Sequence, residues 1–310
     1  MRILRTALAP LLALSMLGVS IGTAAAGVSA KVHASSTLPT IEIGNEGFPE
    51  SYIMQDIYAD LLTNAGFKVS LLAQASATRQ EALPALEAGK IDVLPDYAGS
   101  LLVYLAPKDT KQAGTLAGAE SALKPILAKH GATVLPGTSG LDQNVFVVTN
   151  ATKARYHLTT ISSIKSHAKT WVFGAPPECS KNYFCLPGLQ SVYGLKFKKV
   201  SSLDESGPLS VLALKNGTAQ VVELFSTDSV ISTDKFYVLH DNLNLEPADH
   251  LIPVVRTSFD TSAVQKALAS VNPLLTTSVL TQLDAAVSGS SHPTPAAVAE
   301  GFLTQEKLIK

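Results

Sequence analysis

Lys90-Ile91-Asp92-Val93-Leu94-Pro95-Asp96-Tyr97-Ala98-Gly99-Ser100 is the stretch from which the fold can be read. Residues 91–94 form an apolar strand that runs into Pro-Asp-Tyr. Gly-Ser and an apolar, helix-like run at 101–105 follow. Strand-to-helix crossings are where α/β proteins hold ligands, because backbone N–H groups and a helix N-terminus face the cleft there. Tyr97 stands at that crossing with a flat apolar ring and a polar tip. Its alternative role is that of a turn tyrosine that only packs.

Outward from this stretch, short strands alternate with amphipathic helices. Residues 40–44 read as a strand and 49–65 as a helix. Pro49 and Glu50 suit its first turn, Ile53, Ile57 and Leu61 share one face, and Gly66 ends it. A strand at 67–72, a helix at 78–88 closed by Gly89 and the strand at 91–94 complete a βαβαβ order. That order predicts a mostly parallel sheet covered by helices. A helix is predicted at 111–130. A second set follows, with strands at 143–149, 171–174, 219–225 and 236–239 and helices at 187–193 and 207–214. The tail from Thr261 reads as helical, with starts at Thr276 and Thr294. No internal repeat stands out. Two α/β units in one chain predict two lobes with a cleft between them, a favoured place for a small molecule.

Residues 1–30 read as an export signal. Arg2 and Arg5 give a basic start, residues 7–21 an uncharged apolar run, and Thr23-Ala24-Ala25-Ala26 and Val28-Ser29-Ala30 offer small residues for cleavage. The run is short for a membrane anchor, and the absence of cysteine near it argues against a lipid anchor. The mature chain of about 280 residues suits one large domain or two lobes. Without Arg2 and Arg5 the 24 basic residues fall to 22, against 25 acidic ones. That balance gives no case for nucleic acid or an anionic membrane surface.

The only two cysteines, Cys179 and Cys185, form an isolated close pair. In an exported chain such a pair reads as one local disulfide, which would stabilise by roughly 2–3 kcal/mol in the loop-entropy model. A metal site would need more ligands nearby, and the seven histidines are scattered. No metal, cofactor or catalytic residue is expected. Gly137-Thr138-Ser139-Gly140 is one residue short of a Gly-x-Ser-x-Gly elbow, and acidic pairs do not by themselves identify a glycosidase. A secreted hydrolase is the rival class, and a lobe pair that signals to a receptor is another.

The ordered motifs resemble those of the substrate-binding proteins of osmoprotectant ABC importers. In the first half they are Ile43-Gly44-Asn45-Glu46-Gly47-Phe48-Pro49-Glu50-Ser51, Tyr58-Ala59-Asp60-Leu61-Leu62, Ala85-Leu86-Glu87-Ala88-Gly89-Lys90-Ile91-Asp92 and Pro95-Asp96-Tyr97-Ala98-Gly99-Ser100. In the second half they are Asp142-Gln143-Asn144, Pro177-Glu178-Cys179, Cys185-Leu186-Pro187-Gly188-Leu189, Phe225-Ser226-Thr227-Asp228 and Pro247-Ala248-Asp249 with Ile252-Pro253-Val254-Val255-Arg256. The resemblance implies an α/β, two-lobed, type II periplasmic-binding-protein fold with an interlobe ligand cleft. It puts lobe one at 38–141 plus 241–310 and lobe two at 142–240.

The resemblance also implies capture of glycine betaine, choline or a related quaternary amine, and its delivery to a permease and, through it, to an ATPase. The protein would be a monomer, periplasmic or secreted. Relatives hold the cation in a box of tyrosines by cation–π attraction. Tyr97 matches one such position, whereas Val145 or Phe146, Val211 and Phe225 stand at others. A carboxylate-gripping arginine of relatives aligns with Asn182, which cannot form a charged bidentate pair. A neutral or aromatic ligand is therefore the alternative. The ligand-binding candidates are Tyr97, Phe225, Asn45, Glu46, Thr78, Arg79, Asp142, Gln143, Asn144, Glu178, Glu223 and Thr227. Glu223, on a strand that should be buried, would pair with a cation if it faced the cleft, and would otherwise face solvent.

Overall fold

The computed structural model describes residues 39–73, 78–108, 110–288 and 291–310; the export-signal reading falls outside them. In chain order the strands are β1 (Thr40–Ile43), β2 (Lys68–Leu71), β3 (Val93–Tyr97), β4 (Ala132–Val134), β5 (Asn144–Thr149), β6 (Val172–Ala175), β7 (Lys199–Ser202), β8 (Val221–Phe225), β9 (Phe236–Val238) and β10 (Leu251–Arg256). The helices are α1 (Pro49–Asn64), α2 (Arg79–Glu87), α3 (Ala98–Leu105), α4 (Thr110–Ala113), α5 (Leu116–Lys129), α6 (Asn150–Tyr156), α7 (Leu186–Ser191), α8 (Pro208–Lys215), α9 (Val230–Thr233), α10 (Ser262–Ala269), α11 (Thr277–Ser288) and α12 (Pro295–Gln305).

The strands make two five-stranded sheets, ordered β2-β1-β3-β10-β4 and β7-β6-β8-β5-β9. The two orders are the same pattern. In each sheet three strands run parallel, and an antiparallel strand joins them to a short edge strand. In both cases the antiparallel strand is the first one formed after the chain crosses from the other sheet. The sequence carries no visible repeat, so this likeness lies in topology alone.

The predicted strand at 91–94 is shifted: β3 runs through Pro95 to Tyr97. Pro95 stands opposite Pro253 of β10. Ala98 N–H bonds His250 O and Arg256 N–H bonds Asp92 O, which fixes the phase of the ladder. The two prolines then fall at a non-hydrogen-bonded pair, where these strands need neither missing N–H. The predicted helix at 111–130 is two helices. Gly114 breaks it, and Thr115 caps α5 by accepting from Gly118 N–H at 3.1 Å.

Ile53, Ile57 and Leu61 of α1 are buried as their spacing requires. α10, α11 and α12 also pack on α1, and its polar Gln55 and Asp56 are buried too; Gln55 donates to the Ile43 carbonyl at the end of β1 and to the Leu72 carbonyl just after β2. Gly66 and Gly89 end their helices with φ of 92° and 69°. Thr294 caps α12. No helix of the described residues is long and apolar enough to cross a membrane.

Candidate ligand-binding cleft

Both sheets turn the carboxyl ends of their parallel strands toward one cavity of about 630 Å³. That is where an α/β sheet leaves loop backbone and helix starts free for a ligand. Glu46 and Phe48 come from the loop after β1, Thr78 and Arg79 from the start of α2, and Tyr97 from the end of β3. Asp142, Gln143 and Asn144 lie where the chain enters β5. Glu178 and Tyr183 follow β6, Glu205 follows β7, and Phe225 ends β8.

One wall is aromatic. The Phe48 ring centroid lies 5.9 Å from that of Tyr97 and 5.2 Å from that of Phe225, so rings from both sheets meet there. Tyr104 and Tyr183 also line the cavity. The Tyr97 hydroxyl donates to Glu50 Oε1, which leaves the ring as its contribution to the wall. Gly99, the second residue of α3, must be glycine: a Cβ there would meet Pro247 Cβ at 2.5 Å and Ala113 O at 3.0 Å. That close approach seats Asp249 over α3, where it accepts from Ser100 N–H at 2.7 Å and Ser100 Oγ at 2.6 Å.

The other walls are acidic. Arg79 donates to Asp96 Oδ1 from Nε at 3.0 Å and from Nη2 at 2.8 Å, and to Glu46 Oε2 at 3.2 Å. Burial works against its charge, but the Asp96 and Glu46 carboxyls more than offset that and raise its pKa. Burial raises the Glu46 carboxyl well above its ordinary value, with Arg79 opposing the shift and Asp96 adding to it. Burial and the neighbouring Glu178 push Glu205 up to about 7, against the pull of Arg79. Asp142 is raised by burial and then by Glu50 and Asp228, although Ser226 Oγ at 3.1 Å and Thr227 N–H at 3.2 Å donate to it.

Three of the candidates lie away from this cavity. Asn45 is fully buried: its side-chain amide donates to Gln55 and to the Leu72 and Ala73 carbonyls, and its Oδ1 accepts from Gly47 N–H. It shapes the loop that carries Glu46. Thr227 is buried between Asp142, Glu50 and Asp284. Glu223 lines a small hollow of about 30 Å³ behind the cavity, with Glu178 and Glu205. Its Oε2 lies 2.9 Å from Cys185 Sγ, and that sulfur is bonded to Cys179 and carries no proton. Burial, with Glu205 and Glu178 nearby, raises the Glu223 pKa and so favours its neutral form, the only form of this pair with a proton to donate. The same disulfide means that the Cys179, Cys185 and Glu223 cluster offers no thiolate to a metal.

Phe48, Tyr104, Tyr183, Glu205 and Asp249 line the cavity without having been among the candidates. Phe48 and Asp249 lie inside quoted motifs and could have been picked. Glu205 had no signal, because β7, which delivers it, was not legible. A buried volume of this size with an aromatic corner and acidic walls suits a small organic cation, which is stabilised by ring faces and by carboxyl oxygens together.

A glycine-betaine-binding protein of Pseudomonas aeruginosa is 26% identical over 229 residues, 70% of this chain and 71% of the relative. The crystal structure of a glycine betaine/carnitine/choline ABC transporter matches with a TM-score of 0.66 at 22% identity, covering 87% of this chain and all of that one. An ABC-transporter choline binding protein in complex with choline matches at 0.62 and 14% identity, covering 86% and 89%. These likenesses carry the two-lobed α/β periplasmic-binding fold. The family model for the substrate binding domain of ABC-type glycine betaine transport systems matches residues 39–305, and the chain belongs to that family.

Proposed function

We propose that this chain is the exported solute-capturing component of an ABC importer, and that its cleft takes a small organic cation of the quaternary-amine class and passes it unchanged to the permease. The observation that carries the reading is the cavity itself, where the Phe48, Tyr97 and Phe225 rings meet and Glu46, Asp142, Glu178 and Glu205 surround them. A quaternary ammonium sheds its water at low cost and gains from ring faces. Lobe one would combine 38–141 with 241–310, and lobe two would be 142–240. Two strand crossings between the sheets support hinge closure around the ligand.

A thermal-shift and calorimetric screen tests the reading. Choline, glycine betaine and carnitine are the probes, and at least one should raise Tm saturably and be recovered unaltered. No response to any of them, with a response to neutral phenolics, would instead favour an aromatic solute. Conversion of the bound compound would point to an enzyme.

A further inference from the structure

We propose that the cleft selects carboxylate-free organic cations bearing a hydrogen-bond donor, such as an amino alcohol, over zwitterions that carry a carboxylate, with Glu46 and Glu205 as the specificity-determining acceptors. This rests on the cation reading of the cleft given above.

The first argument is charge. Glu46, Asp142, Glu178, Glu205 and Asp249 line the cavity against two bases, Arg79 and Lys181. Arg79 is already held by Asp96 and Glu46 and is only 17% exposed. Lys181 is exposed, so its charge is in water and screened. Among the described residues the cavity has no desolvated cation left for a ligand carboxylate. A carboxylate placed there would meet carboxyl oxygens on several sides and no buried cation to pair with.

The second argument is unspent acceptors. Asp249 uses both oxygens on Ser100, and Asp142 accepts from Ser226 and Thr227. Glu46 is different: its side chain is 4% exposed and its Oε1 has no partner. A buried acceptor left unpaired is costly, and an N–H or O–H from a ligand removes that cost. The side-chain carboxyls of Glu178 and Glu205 make no hydrogen bond among the described residues, and both residues line the cavity. A quaternary head cannot donate a hydrogen bond. The head therefore fits the aromatic corner, and the donor belongs to another part of the same ligand.

Glu205 supplies an independent readout. The carboxyls of Glu178, Glu223 and Glu46 face it, Lys181 shares the cavity, and Arg79 opposes their effect. Its pKa stands at about 7, so near neutral pH it is partly protonated, and a bound cation favours its ionised form.

Calorimetry compares choline with glycine betaine on the full mature protein. Choline should bind at least tenfold more tightly. Its affinity should rise severalfold from pH 6 to pH 8, and proton release should appear as a dependence of binding heat on buffer ionisation enthalpy. Glu205→Gln should remove that dependence and weaken choline at least fivefold while leaving glycine betaine unchanged or tighter. Glycine betaine binding as tightly as choline overturns the selectivity, and choline binding without proton release overturns the role of Glu205; either result leaves the cation reading standing. If neither compound binds, the cation reading itself falls, and this inference with it.

Discussion

Tyr97 serves the cleft with its ring and the interior with its hydroxyl, so two substitutions separate the roles. Tyr97→Ala removes a wall of the aromatic corner and should weaken a cationic ligand by about 1–2 kcal/mol, roughly five- to thirtyfold, in a calorimetric titration. Tyr97→Phe keeps the ring face but strips the donor from Glu50, a buried carboxyl. It should leave affinity within a few-fold and lower stability by about 1–3 kcal/mol in a denaturant titration, because the acceptor is left unpaired. Large loss of affinity with unchanged stability in Tyr97→Phe would mean that the hydroxyl contacts the ligand instead. At this scale the sequence carries residue chemistry better than residue direction. Asn45 and Glu46 are adjacent, polar and buried, yet one turns to the Leu72 and Ala73 carbonyls and the other to Arg79 and the cavity. Nothing in their order distinguishes them, because the turn that separates them depends on packing against α1 and β2.

Among the elements, the segment between β6 and α7 ties covalent structure to the site. The Cys179–Cys185 bond closes the loop that carries Tyr183 and Lys181 into the cleft. Opening so short a loop should cost about 2 kcal/mol in the entropy model. Cys179→Ala/Cys185→Ala should therefore melt several degrees lower and bind more weakly, and intact protein should show no free thiol before reduction. Unchanged affinity in the double variant would mean that α7 alone positions the loop. Element type was legible wherever apolar periodicity was uninterrupted, as in α1 and β5. β10 was not, because Pro253 argues against a central strand unless its partner's proline is known to stand opposite. β4 and β7 hold one large apolar residue each, Val134 and Val200, which leaves no apolar run to register.

For the molecule as a whole, buried carboxyls dominate the response to pH. Asp284, beneath the cleft with Glu50 and Asp142, is raised by burial and by the Asp142 charge to about 8. In the unfolded chain an aspartate titrates near ~3.9. The folded state therefore holds a proton that the unfolded state has lost. Its contribution is full below the unfolded value and disappears as pH rises through about 8, and Glu205 adds a similar loss near 7. Tm of the ligand-free protein should fall as pH is raised from 6 to 9, and less steeply in Asp284→Asn; a Tm that rises over this range would contradict the assignment. The matched strand orders of the two sheets were invisible in the sequence, since topology can repeat where side chains do not. The place of β10 in that pattern also bears on the chain as it emerges from a ribosome or a translocation pore. The five strands of the second sheet lie together between residues 144 and 238, whereas β3 and β4 cannot be joined until residues 251–256 arrive between them. The half of the molecule that begins first is thus finished last, and until then its strand edges are open to proteases, chaperones and other nascent chains.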